Sequence, residues 1–117
     1  MALASIYRIR KPEDFERIKE EGTLFQSESF GVSVFNRNDD EKPRFGYIIS
    51  TKISKMAVHR NRIRRALEES LRQNLQIIPT GFDFVFLVKK TMMSKTVEEM
   101  MAEVKNFLTR SEYKVKQ

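Results

Sequence analysis

Hydrophobic positions recur along the chain with two periods, and the period distinguishes helices from strands. In residues 12–21 (PEDFERIKEE), Phe15 and Ile18 lie three residues apart among polar side chains, which is helical spacing. Pro12 stands in the first turn and Gly22 follows the last, as at the two ends of many helices. The pattern therefore predicts a first helix over 12–21.

Apolar runs rich in β-branched and aromatic residues occupy 29–35 (SFGVSVF) and 44–50 (RFGYIIS). The polar segment 36–43 (NRNDDEKP) joins them, so the simplest prediction is an antiparallel hairpin. A later run, 82–90 (FDFVFLVKK), has apolar residues on both faces, which is typical of a central strand.

A second helix is predicted from about residue 56 to residue 75, ahead of Pro79 and Gly81. Its apolar stripe at helical spacing consists of Ile63, Ala66, Leu67, Ser70 and Leu71. At ~100° per residue, the side opposite the stripe holds Asn61, Arg62, Arg65 and Arg72, with Arg64 at the edge of the stripe.

A third helix is marked by a capping box, in which Thr96 and Glu99 each satisfy a backbone N–H of the first turn. Apolar residues follow at steps of three and four: Val97, Met100, Met101, Val104, Phe107 and Leu108. The tail 111–117 (SEYKVKQ) is predicted to fray.

The order helix, strands, helix, strand, helix predicts an α/β fold, more closely an α+β sandwich with a small mixed sheet covered by helices. A chain of 117 residues is expected to form a single domain, 1–117. The strand–helix–strand unit 44–90 suits a parallel pair, because parallel strands need a crossover connection. Physical precedent alone predicts a right-handed crossover, since ~98% are right-handed.

Lysine and arginine outnumber aspartate and glutamate by 22 to 16, a net charge of +6 that indicates a polyanionic partner, either nucleic acid or an anionic membrane surface. The sequence has no apolar run near the ~18 residues that a membrane span needs. The N-terminus turns polar by residue 8, too early for a secretory signal peptide, and the chain has no cysteine. These features lead us to expect a cytoplasmic protein that does not bind membranes.

The positive charge is concentrated in the segment 52–65, with no acid before Glu68. Its cations are Lys52, Lys55, Arg60, Arg62, Arg64 and Arg65. An ordinary solvated helix alternates signs at i,i+4, and the helix dipole makes the N-terminal half more positive still. Arginine, which binds phosphate with two parallel hydrogen bonds and stacks on bases, predominates. We therefore favour a nucleic-acid partner over an ordinary basic surface helix.

Residues for protein-based catalysis are scarce. One histidine and no cysteine leave few nucleophile–base pairs, and His59 lies within the basic run, where neighbouring cations favour its neutral form. The consecutive acids 39–41 are interpreted as a solvated turn and not as a metal site. Asp14 and Asp83 are isolated acids in the sequence.

The segment 57–72 (AVHRNRIRRALEESLR) resembles the signature of the bacterial ribonuclease P protein subunit, Arg-Asn-Arg followed by an apolar residue and two basic ones. The residues that match this signature in order are Arg60, Asn61, Arg62, Ile63, Arg64 and Arg65. Segments 12–22, 44–52 and 82–90 resemble other parts of the same family in the same order. Glu68 departs from the pattern, because a further basic residue is common there.

The resemblance implies a ribonucleoprotein that removes the 5′ leader of precursor tRNA. The RNA subunit would carry the catalytic site and hold most of the Mg²⁺, with no ion bound firmly by this chain and no catalytic residue in it. The protein, a monomer when free, would bind that RNA through the arginine helix and hold the leader between the first helix and the sheet. The family's crossover is left-handed, an expectation that overrides the right-handed one.

The predicted RNA-subunit contacts are Lys55, Arg60, Asn61, Arg62, Arg64 and Arg65. The predicted leader contacts are Phe15, Phe30, Tyr47, Lys52, Arg60 and Asn61. Stacking platforms beside a positive track are how single strands are generally held. The alternative, that these aromatics belong to the core, stays open, especially for Phe30.

Two other classes of function fit parts of the sequence. One is a non-catalytic basic RNA-binding scaffold, such as a ribosomal protein. The other is a DNA-binding protein that inserts the arginine helix into the major groove, although no helix-turn-helix pair is recognisable before residue 56.

Overall fold

The computed structural model describes residues 3–114 and contains, within that range, three α-helices and one four-stranded sheet. In chain order the elements are α1 (Pro12–Glu21), β1 (Thr23–Gln26), β2 (Phe30–Asn36), β3 (Arg44–Ile48), α2 (Ala57–Gln73), β4 (Phe82–Val88) and α3 (Val97–Leu108). Short 3-10 turns lie at Ser5–Tyr7, Leu75–Ile77 and Lys90–Ser94. This α+β sandwich with a mixed sheet confirms the predicted fold class.

Local signals account for the helix ends. Pro12 is the first residue of α1, where its missing N–H costs nothing. At α3 the hydroxyl of Thr96 accepts a hydrogen bond from the Glu99 backbone N–H, and the Glu99 carboxylate accepts one from the Thr96 N–H. The predicted capping box is therefore confirmed.

The strand order is β1-β2-β4-β3, which places β4 between the two strands predicted to form a hairpin. β4 pairs antiparallel with β2 and parallel with β3, so the hairpin prediction is wrong and the parallel crossover prediction is confirmed. The apolar residues on both faces of β4 explain why it takes a central position. β1, four mostly exposed residues at the sheet edge, was not predicted.

The two faces of the sheet carry different layers. α2 and α3 cover one face and share a large core with Phe30, Phe45 and Phe84. α1 covers part of the other face, where Ile18 packs with Val85 in a smaller core. Side chains alternate between these faces along each strand, so the strand register decides which layer each one joins.

The crossover from β3 through α2 to β4 is left-handed. The Phe45 ring packs into the core beneath α2, and its carbonyl accepts a hydrogen bond from the Ile9 N–H at 2.9 Å, on the side away from β4. Consider a strand that runs upward from its N-terminus, seen with the side chain of one L-residue pointing at the viewer. The carbonyl of that residue then points to the right. Seen from α2, β4 therefore lies to the left of β3. This agrees with the family resemblance and differs from the ~98% precedent.

The C-terminal segment is better ordered than the predicted fraying tail. Tyr113 is fully buried, and its ring stacks on Phe107 with centroids 5.0 Å apart. Its hydroxyl donates a hydrogen bond to the Leu108 carbonyl at 2.8 Å. The prediction is therefore wrong for residues 111–114, and residues 115–117 lie outside the described range.

Candidate nucleic-acid interface

The start of α2 presents positive potential without local compensation. Its N-cap, Met56, makes no side-chain capping bond, and its first turn has no acidic residue. The free N–H groups and the dipole of this helix end favour an anion nearby. Lys52 and Lys55 are exposed in the loop that leads into the helix, and His59 Nδ1 lies 3.0 Å from the Ser54 hydroxyl.

Three arginines of the motif keep their charge available. Arg60 donates to the Ser54 carbonyl at 2.8 Å and Arg62 donates to the Lys95 carbonyl at 3.1 Å, so backbone dipoles orient both guanidinium groups without neutralising them. Arg65 is exposed and has no hydrogen-bond or ion-pair partner in the described part of the chain, and Asn61 is also exposed. These four residues form what we call the arginine ridge: Arg60, Asn61, Arg62 and Arg65.

Arg64 differs from the ridge because it is paired with a carboxylate. Its Nη1 lies 3.2 Å from Oε1 of Glu68, and Glu68 also lies 3.4 Å from Nη2 of Arg8. Glu68 is only 2% exposed. Arg64 is therefore the one predicted RNA contact, among residues 3–114, that an acid already engages.

A half-open apolar groove lies on the α1 face of the sheet. The half-buried ring of Phe15 sits directly over Gly46, where any Cβ would overlap with it. Ile48 and Leu87 are half-buried neighbours of the same small core, and they belong to the row of the sheet next to Gly46. Phe15 packs on this small core and keeps part of its ring exposed at the groove, so its role as a leader contact stays a prediction.

Two predicted leader contacts face the other way. Phe30 is fully buried in the core beneath α2 and α3, which excludes it from contact with RNA in the folded protein. Tyr47 packs against the same core but is half-buried, and it borders a cavity at the edge of β3 together with Phe15. The leader-contact prediction is therefore wrong for Phe30 and stays a prediction for Tyr47. Strand alternation explains both outcomes, because these residues point to the face opposite Phe15.

Sequence reasoning missed Ile48 and Leu87 as groove residues. They alternate with the buried side chains of β3 and β4, so their face is the one that α1 covers only in part. The alternation was readable in the sequence, but which face stays open depends on where α1 packs.

Asp83, an isolated acid in the sequence, is the centre of a buried ion-pair network with arginines, which was not predicted. It is fully buried and accepts hydrogen bonds from Arg44 Nε at 2.9 Å, from Arg44 Nη2 at 2.8 Å and from Arg37 Nη1. Asp14 is likewise paired, with Arg17 at 2.9 Å. The bond to Asp83 raises the pKa of Arg44. Both acids serve structure here.

The described residues 3–114 include no group of three His, Cys, Asp or Glu side chains placed to hold a metal ion. In the same range, the longest helices lack the length and apolar character of a bilayer-crossing segment.

Comparisons with known proteins agree with this geometry. The model of the Ribonuclease P family matches residues 3–112. The ribonuclease P protein component of Cyanothece sp. is 33% identical over 94% of this chain and 95% of its own length, and that of Clostridium kluyveri is 32% identical over 91% and 95%.

Solved structures give the same result. The RNase P protein of Staphylococcus aureus superposes with a TM-score of 0.81 at 27% identity, covering 87% of this chain and 92% of the other. The RNase P protein of Thermotoga maritima, solved with 1-(4-fluorophenyl)-2-thiourea, gives 0.80 at 30% identity, covering 88% and 98%. The fold, the arginine motif and these similarities together establish that the chain belongs to the ribonuclease P protein family.

Proposed function

We propose that this chain, as the protein subunit of ribonuclease P, binds both the RNA subunit and the 5′ leader of precursor tRNA, and so assists removal of that leader. The observation that carries the proposal is the arginine ridge, whose charge no carboxylate of the described residues neutralises. A folded RNA would supply the missing counter-charge and release bound counterions.

Arg62 and Arg65 are proposed to contact the RNA subunit, because both are exposed on the side of α2 away from the core. Lys55 and the positive end of α2 would add to the same contact. Arg64 joins it only in competition with Glu68, to which it is bonded at 3.2 Å.

The leader is proposed to enter the groove beside α1. Phe15 would stack on one base, with Ile48 and Leu87 as the apolar floor. Lys52, Arg60 and Asn61 would hold the leader backbone at the end of β3 where α2 begins. Because phosphate contacts position a strand without reading its sequence, this arrangement suits many leaders.

The chemistry of cleavage is assigned to the RNA subunit. In this proposal it holds most of the Mg²⁺, and this chain acts through binding in the cytoplasm, as a monomer when free. The buried acids Asp83 and Glu68 support that division, since both are paired with arginines.

Reconstitution tests the proposal. The protein is mixed with a bacterial ribonuclease P RNA and a leader-bearing precursor tRNA at low Mg²⁺, and 5′ maturation is followed. We expect a faster rate than with RNA alone, and a smaller effect from Arg62→Ala/Arg65→Ala protein. Lys105→Ala, an exposed change on α3, is the matched control. A rate that stays at the RNA-only value would instead favour a passive RNA-binding scaffold.

A further inference from the structure

A small pocket lies at the outer edge of β3, between the groove beside α1 and the arginine ridge. Its volume is about 180 Å³, which is enough for one base and too small for two nucleotides. The apolar walls are Ile9, Phe15, Phe45 and Gly46, and the polar groups are Arg8, Tyr47, Arg64 and Glu68. It opens where the bridge from Arg8 to Phe45 ends, so residues from both faces of the sheet reach it.

Two polar atoms in this pocket are buried without a partner. They are the hydroxyl of Tyr47 and Nε of Arg8, and neither has a hydrogen bond in the described part of the chain. Buried polar groups are nearly always satisfied, and those that are not call for an explanation such as an absent ligand. Burial also raises the pKa of Tyr47, so its hydroxyl keeps the proton it can donate.

The Glu68 carboxylate has hydrogen-bonding capacity left. Its contacts to Arg64 and Arg8 are 3.2 and 3.4 Å, longer than the ~2.7–2.9 Å of a close charged pair. A carboxylate offers about four acceptor sites, so N–H groups of a ligand can join these arginines. The side chain of Arg8 is 38% exposed, so this wall of the pocket borders solvent.

We propose that this pocket binds one unpaired guanine base of the RNA that the protein holds. Guanine offers two adjacent donors, N1–H and N2–H, to the two oxygens of Glu68, and its acceptors O6 and N7 suit a guanidinium. Phe15 and Ile9 supply apolar contact to the ring. Adenine, cytosine and uracil each present a single donor group at the corresponding edge, and a phosphate is disfavoured by the charge of Glu68.

The position of the pocket connects it to the rest of the interface. A second cavity of about 210 Å³ shares Tyr47 and Arg64 with it and continues to Arg60 and Asn61. A strand lying from the groove to the ridge would therefore pass the pocket. The inference rests on the proposed function, and the guanine comes either from the leader or from the RNA subunit.

Protection from kethoxal, which reacts with N1 and N2 of unpaired guanine, tests the inference. The holoenzyme is assembled with precursor tRNAs whose leaders carry a guanine at successive positions, and reactivity is mapped on both RNAs. We expect one guanine to be protected by the protein, and its position identifies the source. Glu68→Gln removes the negative charge that accepts from N1–H and N2–H. The affinity of the protein for this guanine, obtained from the protected fraction, should fall by roughly 5- to 100-fold.

Two further variants keep the test decisive. Tyr47→Phe removes a hydroxyl that has no partner in the free protein, so it should fold normally and still weaken protection. Glu98→Gln, an exposed acid on α3, makes the same charge change elsewhere and should retain full protection.

Absence of any protected guanine with the wild-type protein, or equal protection with Glu68→Gln and Tyr47→Phe, would overturn the inference. A protein-dependent change confined to adenine or cytosine, probed with dimethyl sulfate, would overturn the choice of guanine. Failure of 5′ maturation with the wild-type protein would instead contradict the proposed function itself, so the two failures are distinguishable.

Discussion

Replacing Asp83 with alanine should destabilise the protein more than any surface change. Asp83 is fully buried, and its carboxylate holds the guanidinium groups of Arg44 and Arg37, whose side chains are 29% and 12% exposed. Removing one partner of a buried pair leaves uncompensated charge and costs about 3–5 kcal/mol. A domain of this size has a total stability of about 5–15 kcal/mol, so the loss is a large fraction of it.

Urea unfolding measured by circular dichroism is the assay, with the midpoint and slope fitted for each variant. Asp40→Ala, in the exposed turn, is the control and should change the free energy of unfolding by no more than ~0.5 kcal/mol. A loss below ~1 kcal/mol for Asp83→Ala, at unchanged slope, would mean that the arginines find other partners or water, and the network would not be a structural centre.

Four other outcomes are expected. Arg65→Ala should lower RNA-subunit affinity and reduce the salt slope by ~0.7–0.9, as measured by filter binding at several salt concentrations. Phe15→Ala should weaken binding of leader-bearing tRNA by ~1–3 kcal/mol and leave mature tRNA affinity unchanged in the same titration. Thr96→Ala should cost about 1 kcal/mol in urea unfolding through loss of the helix cap. Burial raises the pKa of Tyr113 to about 12, so the proton it retains contributes stability below pH ~10 that is lost as the pH rises toward 12. Tyr113→Phe should reduce this slope, and the remainder is expected from Tyr47, whose pKa burial also raises.

Each expectation has a contrary result. Equal salt slopes for Arg65→Ala and wild-type protein would place that arginine outside the RNA contact. Equal losses for leader-bearing and mature tRNA would assign Phe15 to the core alone. A Thr96→Ala variant as stable as wild type would mean that water replaces the cap. An undiminished pH slope in Tyr113→Phe would assign the slope to other groups.

Periodicity was sufficient for the helices because their stabilising contacts are local. The predicted bounds of α1 coincide with the observed Pro12–Glu21, and the cap of α3 was readable from two residues. Strand pairing could not be predicted in the same way. A polar segment between two strands has the same sequence character whether the two strands pair with each other or a third strand lies between them. β4 does come between them, and only the packing of the whole chain decides that.

In the candidate site, too, the local features could be predicted from the sequence and the long-range contacts could not. The arginine ridge follows from charge and helical spacing, both of which are local. Asp83 looked isolated because its partners Arg37 and Arg44 lie 46 and 39 residues away along the chain. Phe30 was wrongly assigned to the groove because the sequence does not reveal which face of the sheet α1 covers.

Gly46 has a consequence for the shape of the groove. Phe15 occupies the volume that a methyl group at position 46 would need. Only glycine at this position therefore allows α1 to approach the sheet this closely. The distance between α1 and the sheet at this point therefore depends on the absence of a side chain at position 46. A larger residue at position 46 would push α1 and the Phe15 ring away from the sheet and from Ile48. The shape of the groove would change although the sequence of its other lining residues would not.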